Sequence, residues 1–303
     1  MSRLLSVYAP DKGLAFVSLT QLGDSHNLRA AAARTLNRFY GLESVPQSEQ
    51  SHRRLFDAAL DSALTAQPGL RLETGILWYC KTQTHNSLCD DDWLEAVLAR
   101  HGIGHWQAQS FSMTHCASGL ALLHYLHVAA DDRPAIMLCG EKTFHPATSR
   151  LSVGVLGEMP LACVLQVKQG HWRLRAAVVQ HVPRFYPNAA DLPEALIRDQ
   201  QQAFPRELAD FLTLLQEQWP QPTYILPYNL NRPLLLQLAA RFGWGDRLNL
   251  DTLASHGHLF CSDVFLKLSR LPARAGEHVL AFAAGMGLTL AAAWLERAPS
   301  SSP

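Results

Sequence analysis

One cysteine carries the first chemical suggestion in the chain. In Gln109-Ser-Phe-Ser-Met-Thr-His-Cys-Ala-Ser-Gly-Leu-Ala-Leu-Leu-His124 an apolar-polar alternation passes through Thr114, His115 and Cys116 into a run of small and apolar residues. The alternation reads as a strand edge, and residues 117–125 read as a helix that is hydrophobic on nearly every face. A helix of that kind is buried. Cys116 then sits at a strand-to-helix junction, where free N–H groups and the positive end of the helix dipole favour an anion. Such a position suits a thiolate nucleophile, whose pKa can fall from about 8.5 to roughly 3.5–7.5. The same residue also fits a small buried hydrophobe, because free cysteine is among the most buried residue types.

The other candidates for chemistry are more diffuse. Six cysteines, at positions 80, 89, 116, 139, 163 and 261, form no CxxC pair. In a chain of this size without a charged-then-apolar leader they read as reduced thiols, and the expected compartment is the cytoplasm. Among fourteen histidines, His256-Gly-His258 and His101 with His105 stand as close pairs. Neither joins a cysteine or carboxylate cluster at zinc spacing, so no metal is expected.

Around these residues stand 303 positions of zero formal net charge, which suggests neither nucleic acid nor an anionic membrane as a partner. That length suits one large domain or two fused halves. No apolar run approaches the roughly 20 residues that span a bilayer. Residues 4–8 and 14–19 read as an opening pair of short strands, 27–40 as a helix with Leu28, Ala32, Leu36 and Phe39 on one face, and 41–52 as a loop. Residues 53–66 follow as an amphipathic helix with Leu55, Ala59, Leu60 and Ala63 inward. A strand at 75–79 and a helix at 91–100, opened by the acidic run at 90–92, precede the Cys116 segment. Residues 134–140 read as a buried strand, and 153–167 as another that takes 172–180 as its partner. Alternating strands and helices with wholly apolar strands point to an α/β sheet.

A second half opens near Pro183, with a long helix at 192–217 interrupted at Pro205. A strand at 223–226 and a helix at 233–242 come next, then a helix ending at 268, a strand at 278–282 and a closing strand through 295. The tail from Ala298 is expected to be disordered. The halves, 1–182 and 183–303, give strand, helix and strand in comparable order, a weak internal repeat.

Several stretches together resemble the thiolase superfamily, and within it the ketosynthase III-like enzymes. Thr114-His-Cys-Ala-Ser-Gly119 is similar to the turn with that family's acylated cysteine. Thr82-Gln-Thr-His85 resembles its Thr-x-Thr-His element. Gly157-Glu158 followed by residues 162–165 resembles the strand closing the first half, with Met159, Pro160 and Leu161 in place of small residues. Pro227-Tyr-Asn-Leu-Asn231 resembles Pro-His-Gln-Ala-Asn, Gly257-His258 stands where the family has Gly-Asn, and Gly285-Met-Gly-Leu-Thr289 resembles Gly-Gly-Gly-Leu-Thr. The resemblance runs from about residue 55 to the C-terminus. It implies a thiolase-like α/β fold of five layers, αβαβα, with two pseudo-equivalent halves, and a homodimer formed through the first-half sheet.

The departures shape the expected chemistry. Condensing members hold an enolate with a histidine and an asparagine; here those positions read Tyr228 and His258. Their thirty-residue interval equals the family's. The resemblance therefore implies Cys116 as nucleophile, His258 as its base, and Tyr228 as a neutral donor or a space-filler. The N–H groups of Cys116 and Met286 would form the oxyanion hole within the Gly285 and Gly287 turn, and Asn231 keeps the supporting asparagine. Carbon–carbon condensation needs two donors for the enolate, whereas transfer to oxygen, nitrogen or sulfur needs chiefly one base. Acyl transfer is accordingly expected, from a coenzyme A or phosphopantetheine thioester on an acyl carrier protein to a small-molecule acceptor. No other cofactor is implied. Decarboxylating condensation and a non-catalytic subunit of a heteromeric synthase are the alternatives. Arg29, Arg34, Arg38, Arg53, Arg54 and Arg232 are candidates for a basic rim that meets the donor, though such residues equally form solvated helix faces. Divergent family members with altered triads are common in natural-product pathways.

Overall fold

The computed structural model describes residues 3–10, 13–83, 92–129, 131–185 and 193–299. Thr84, His85, Cys89, Asp90 and Asp91 lie outside the described residues, as does the tail beyond residue 299. The strands are β1 (Leu4–Tyr8), β2 (Leu14–Ser18), β3 (Ser44–Ser48), β4 (Ile76–Cys80), β5 (Gln107–Phe111), β6 (Ala135–Cys139), β7 (Arg150–Leu151), β8 (Gly154–Val155), β9 (Leu161–Gln166), β10 (Trp172–His181), β11 (Tyr224–Pro227), β12 (His278–Gly285) and β13 (Thr289–Arg297). The helices are α1 (Leu19–Leu22), α2 (Ala30–Tyr40), α3 (Asp57–Ala66), α4 (Trp93–Arg100), α5 (Ser118–Val128), α6 (Glu194–Gln218), α7 (Arg232–Phe242), α8 (Leu253–His256) and α9 (Asp263–Arg270).

Nine strands form one mixed sheet in the order β11-β12-β13-β10-β1-β9-β6-β4-β5. Its two parts meet only where Leu4 faces Arg173 and Leu5 faces Trp172. Read outward from that junction, the pairing signs repeat. On one side β1–β9 and β9–β6 are antiparallel, and β6–β4 and β4–β5 are parallel. On the other, β10–β13 and β13–β12 are antiparallel and β12–β11 is parallel. A parallel bridge from Ile225 to Leu248 stands where a fifth strand would. These are the two pseudo-equivalent halves of a thiolase-like α/β fold. Strand β10, on the first-half side of a division at residue 182, pairs along its length with β13.

The layers follow from strand alternation, because successive side chains point to opposite faces. Ile76, Trp78, Cys80, Met137, Cys139 and Cys163 join the cluster around α5 and α9. Leu77, Tyr79, Ile136, Leu138, Ala162 and Val164 join the cluster of α3 and α4 on the opposite face. Helix α5 packs on β4, β10, β12 and β13, and α9 on β1, β9, β11 and β12, so both central helices touch strands of both halves. At their crossing a Cβ on Gly119 would lie 2.4 Å from the Phe265 ring, so only glycine allows the approach. Seven of the eleven residues of α5 are buried, and its apolar character on every side is that of a helix between two sheets.

Several expectations are corrected. Strands β1 and β2 do not pair with each other; β1 enters the main sheet and β2 pairs antiparallel with β3. The latter strand runs through the stretch read as a loop, and its Pro46 disguised it, because proline within a run argues against a strand unless the strand is an edge. Strand β10 partners β1 and β13 rather than β9. Helix α6 continues through Pro205 without interruption. Phe39 is 58% exposed, and Ala33 with Leu36 forms the buried face of α2. Among the described residues no helix is long and apolar enough to cross a membrane.

Candidate active site

The segment carrying Cys116 is short and strained. From β5 the chain turns through Met113 (φ 74°) and His115 (φ 47°), both in the left-handed region that non-glycine residues seldom occupy. One 3₁₀ turn, His115–Ala117, leads into α5. Local bonds hold it: the Ala117 N–H donates to the Thr114 carbonyl at 3.0 Å, the Thr114 hydroxyl to Ser118 Oγ at 3.0 Å, and the Ser118 hydroxyl to the His115 carbonyl at 2.6 Å. Cys116 is half-buried, whereas Cys80, Cys139, Cys163 and Cys261 are buried. Against this turn lies the end of β12. A Cβ on Gly285 would fall 2.1 Å from the Thr114 carbonyl oxygen, so glycine is required for the two backbones to touch. The Gly285–Leu288 turn is thereby held on the cysteine segment, with Gly287 (φ 68°) in the left-handed region and the Met286 side chain 55% exposed.

His258 occupies the opposite kind of setting. Its backbone bridges Leu156 like a short strand: the His258 N–H donates to the Val155 carbonyl and its own carbonyl accepts from the Gly157 N–H, each at 2.9 Å. The ring is fully buried, and Nδ1 lies 2.5 Å from Oδ2 of Asp263. Asp263 opens α9 and is itself buried. Its Oδ1 accepts from the Leu259 N–H at 2.7 Å and its Oδ2 from the Asn229 N–H at 2.8 Å. Three donors therefore converge on one carboxylate, which fixes the imidazole with its Nδ1 proton towards Asp263. Burial alone would push the His258 pKa down. The negative charges of Asp263 and then Cys116 outweigh burial and raise it from 6.5 to about 10. Nε2 is buried without a hydrogen-bond partner among the described residues, which leaves it as the nitrogen that meets the Cys116 thiol.

Tyr228 follows the last residue of β11 and is 3% exposed, with no partner for its hydroxyl among the described residues. Burial, then the charges of Cys116 and Asp263, push its pKa well up, so it remains a neutral donor. The structure thus brings Cys116, His258 and Tyr228 together. Asn231 is placed differently: it caps α7, its Oδ1 accepting from the Leu234 N–H at 3.4 Å. It is Asn229 whose backbone reaches the carboxylate, while its Nδ2 donates to Thr252 Oγ1 at 3.0 Å. Among the described residues no group of three or more His, Cys, Asp or Glu side chains could hold a metal ion.

Asp263 is the residue of this cluster that the sequence reading did not name. Its signal was faint, an acidic residue five positions after His258 at the start of a helix, where an acid is ordinary because the dipole favours it. Position 263 serves that role too, but the geometry gives it the nucleophile–base–orienter arrangement in which a third group holds the base.

No protein-family model matches the chain, and comparison with curated proteins gave no match. Its fold is shared with solved structures. ChlB3, an acyltransferase, superposes with a TM-score of 0.76 at 18% identity over 98% of this chain and 97% of that one. The 3-oxoacyl-(acyl carrier protein) synthase III, FabH, of Pseudomonas aeruginosa gives 0.74 at 18% identity over 100% of both chains. Cerulenin-bound OleA of Xanthomonas campestris gives 0.73 at 15% identity over 98% and 97%. The shared fold thus extends over the first 55 residues, where no motif had pointed to it.

Proposed function

We propose that this chain is an acyltransferase that loads an acyl group onto Cys116 and passes it to an oxygen, nitrogen or sulfur nucleophile of a small molecule. The observation that carries this reading is the His258–Asp263 contact of 2.5 Å, with His258 Nε2 left without a partner. A base oriented this way suits proton transfer, and the proton it must move belongs first to a thiol and then to an acceptor. Condensation would instead call on two donors to hold an enolate, and the second position here is the phenol Tyr228.

In the first half-reaction the Cys116 sulfur attacks the carbonyl of a coenzyme A or carrier-protein thioester, and its proton resides on His258 Nε2. The N–H groups of Cys116 and Met286 would receive the developing oxyanion, a role whose loss typically costs ~2.7–4 kcal/mol. Collapse expels the donor thiolate, which takes the proton from His258. In the second half-reaction neutral His258 removes a proton from the acceptor as it attacks the thioester, and returns that proton to Cys116 on collapse. Asp263 holds the Nδ1 proton throughout. Tyr228 orients the acyl carbonyl or the acceptor. ChlB3, similar in fold, is an acyltransferase, which agrees with this reading. The reading includes a reduced, cytoplasmic homodimer paired through the first-half sheet.

Intact-mass measurement with a panel of acyl thioesters tests it. A single acyl adduct is expected on Cys116 and none in Cys116→Ala, followed by discharge to an alcohol, amine or thiol without release of carbon dioxide. Tyr228→Phe should lower turnover by about tenfold at most, as loss of one neutral hydrogen bond of about 0.5–1.5 kcal/mol. Stoichiometric carbon dioxide from a malonyl thioester, lost in Tyr228→Phe while acylation persists, would establish the condensing reaction instead.

A further inference from the structure

One buried charge has no part in the steps above. Lys267 is 2% exposed and lies four residues after Asp263 in α9, on the same helix face. Its ammonium donates to the Pro227 carbonyl at 2.6 Å. Pro227 is the last residue of β11, and the next two residues are both site residues. The Tyr228 N–H continues the ladder to the Phe282 carbonyl at 3.1 Å, and the Asn229 N–H meets Asp263. Helix α9 therefore grips the 227–229 turn at two points, with Lys267 on Pro227 and Asp263 on Asn229. Among the described residues no carboxylate lies within ion-pair distance of Lys267. The charges that bear on it are those of Asp263 and Asp251. Strands β1, β9, β11 and β12, packed on α9, add only Tyr8, Cys163, Tyr224 and His278 as titratable residues.

A core lysine is costly when a methionine could fill the same space, because removing an ammonium from water is heavily penalised. We infer that Lys267 is a positioning residue for the Cys116–His258–Asp263 triad. Its grip on Pro227 keeps the Asn229 N–H against Asp263 and sets Tyr228 beside the cysteine. The inference rests on the acyl-transfer reading of the site. It does not rest on which acyl donor or acceptor is used.

The test is the pH profile of Cys116 alkylation by iodoacetamide, which needs no substrate and so stands apart from the proposed reaction. Burial lowers the Lys267 pKa to about 8, against the raising effect of Asp263 and Asp251. The wild-type profile should accordingly show a break near pH 8 in addition to the main limb. In Lys267→Met, with folding checked by near-ultraviolet circular dichroism, that break should vanish and the alkylation rate at pH 7 should fall ~10–100-fold, as misplaced catalytic groups do. In an Asp263→Asn background the same change should add almost nothing, because residues acting through one another are non-additive. If Lys267→Met does not fold, Lys267→Gln, which keeps a donor and loses the charge, should also lack the break. A folded Lys267→Met or Lys267→Gln protein with the wild-type profile, or a loss that adds in full to that of Asp263→Asn, would overturn the inference. Failure of every thioester to load Cys116 would instead overturn the proposed function and leave the alkylation result standing.

Discussion

The turn carrying Cys116 and the loop carrying His258 are built on opposite principles. The first is held by local bonds, places two non-glycine residues at positive φ within three positions, and leaves its sulfur half-buried. The second is anchored as strand on both sides of His258 and is wholly buried, its imidazole locked by a carboxylate with three donors. The cysteine segment rests on the end of β12, where Gly285 touches it, whereas the His258 loop rests on residues 155–157 and on Asp263. The contrast suits the two jobs that the proposed acyl transfer would require. A nucleophile must admit a donor thioester and later an acceptor, so it needs an opening and a fixed backbone. A base that serves two half-reactions must keep one tautomer throughout, and burial among hydrogen bonds secures that. Cys261 illustrates the same point from the other side. It stands three residues from His258, and hydrogen bonds from the Cys139 and Cys80 thiols hold its pKa well below the usual value, yet it is buried with its own thiol directed at the Cys80 carbonyl at 3.7 Å, so it lacks the opening that Cys116 has.

The largest effect should come from removing the base. His258→Ala is expected to slow both loading of Cys116 and delivery to the acceptor by ~10²–10⁴. Asp263→Asn keeps the shape and loses the charge, and should slow both steps by ~10–100-fold. Single-turnover kinetics read each half separately. A variant that impairs only one half would break the assignment of His258 to both.

A smaller effect should appear in stability. The folded pKa of His258 is raised from 6.5 to about 10, so its contribution is fully present below pH 6.5 and is lost as pH rises through 10. Lys267 works the other way: its folded pKa is lowered from 10.5 to about 8, so its penalty is relieved as pH rises from 8 towards 10.5. The two are separated by comparing wild type with His258→Gln. The gap in unfolding free energy between them, on the order of a few kcal/mol at pH 6, should close between pH 6.5 and 10. A gap that stays constant over that window would show that Asp263 does not hold an imidazolium.

The smallest expected effect concerns the cysteine turn. Gly285→Ala adds one methyl group against the Thr114 carbonyl and should cost about 1–3 kcal/mol in urea unfolding, as overpacking does. Cys116 alkylation should slow in the folded fraction while the His258 loop keeps its hydrogen-exchange protection. Equal loss of protection in both regions would mean that they are one unit rather than two.

Much of this was written in the chain itself. The all-round apolar pattern after Cys116 gave a buried helix, and wholly apolar runs at 75–79 and 134–140 gave central strands, because local sequence sets how many faces must be covered. The order of six short motifs gave the fold and pointed to Cys116, His258 and Tyr228, which the structure places near one another. Tertiary structure decided the rest. Strand β3 exists because β2 lies beside it and supplies the ladder that its proline weakens. Asn231 became a helix cap and Asn229 a contact to the carboxylate, a two-residue exchange set by how the chain leaves β11. Asp263 acquired its role only when the loop from His258 folded back, so that a helix-opening acid met an imidazole five residues earlier. Spacing along a chain limits which side chains can meet; where a loop turns, and so which of them do, is fixed by what it packs against.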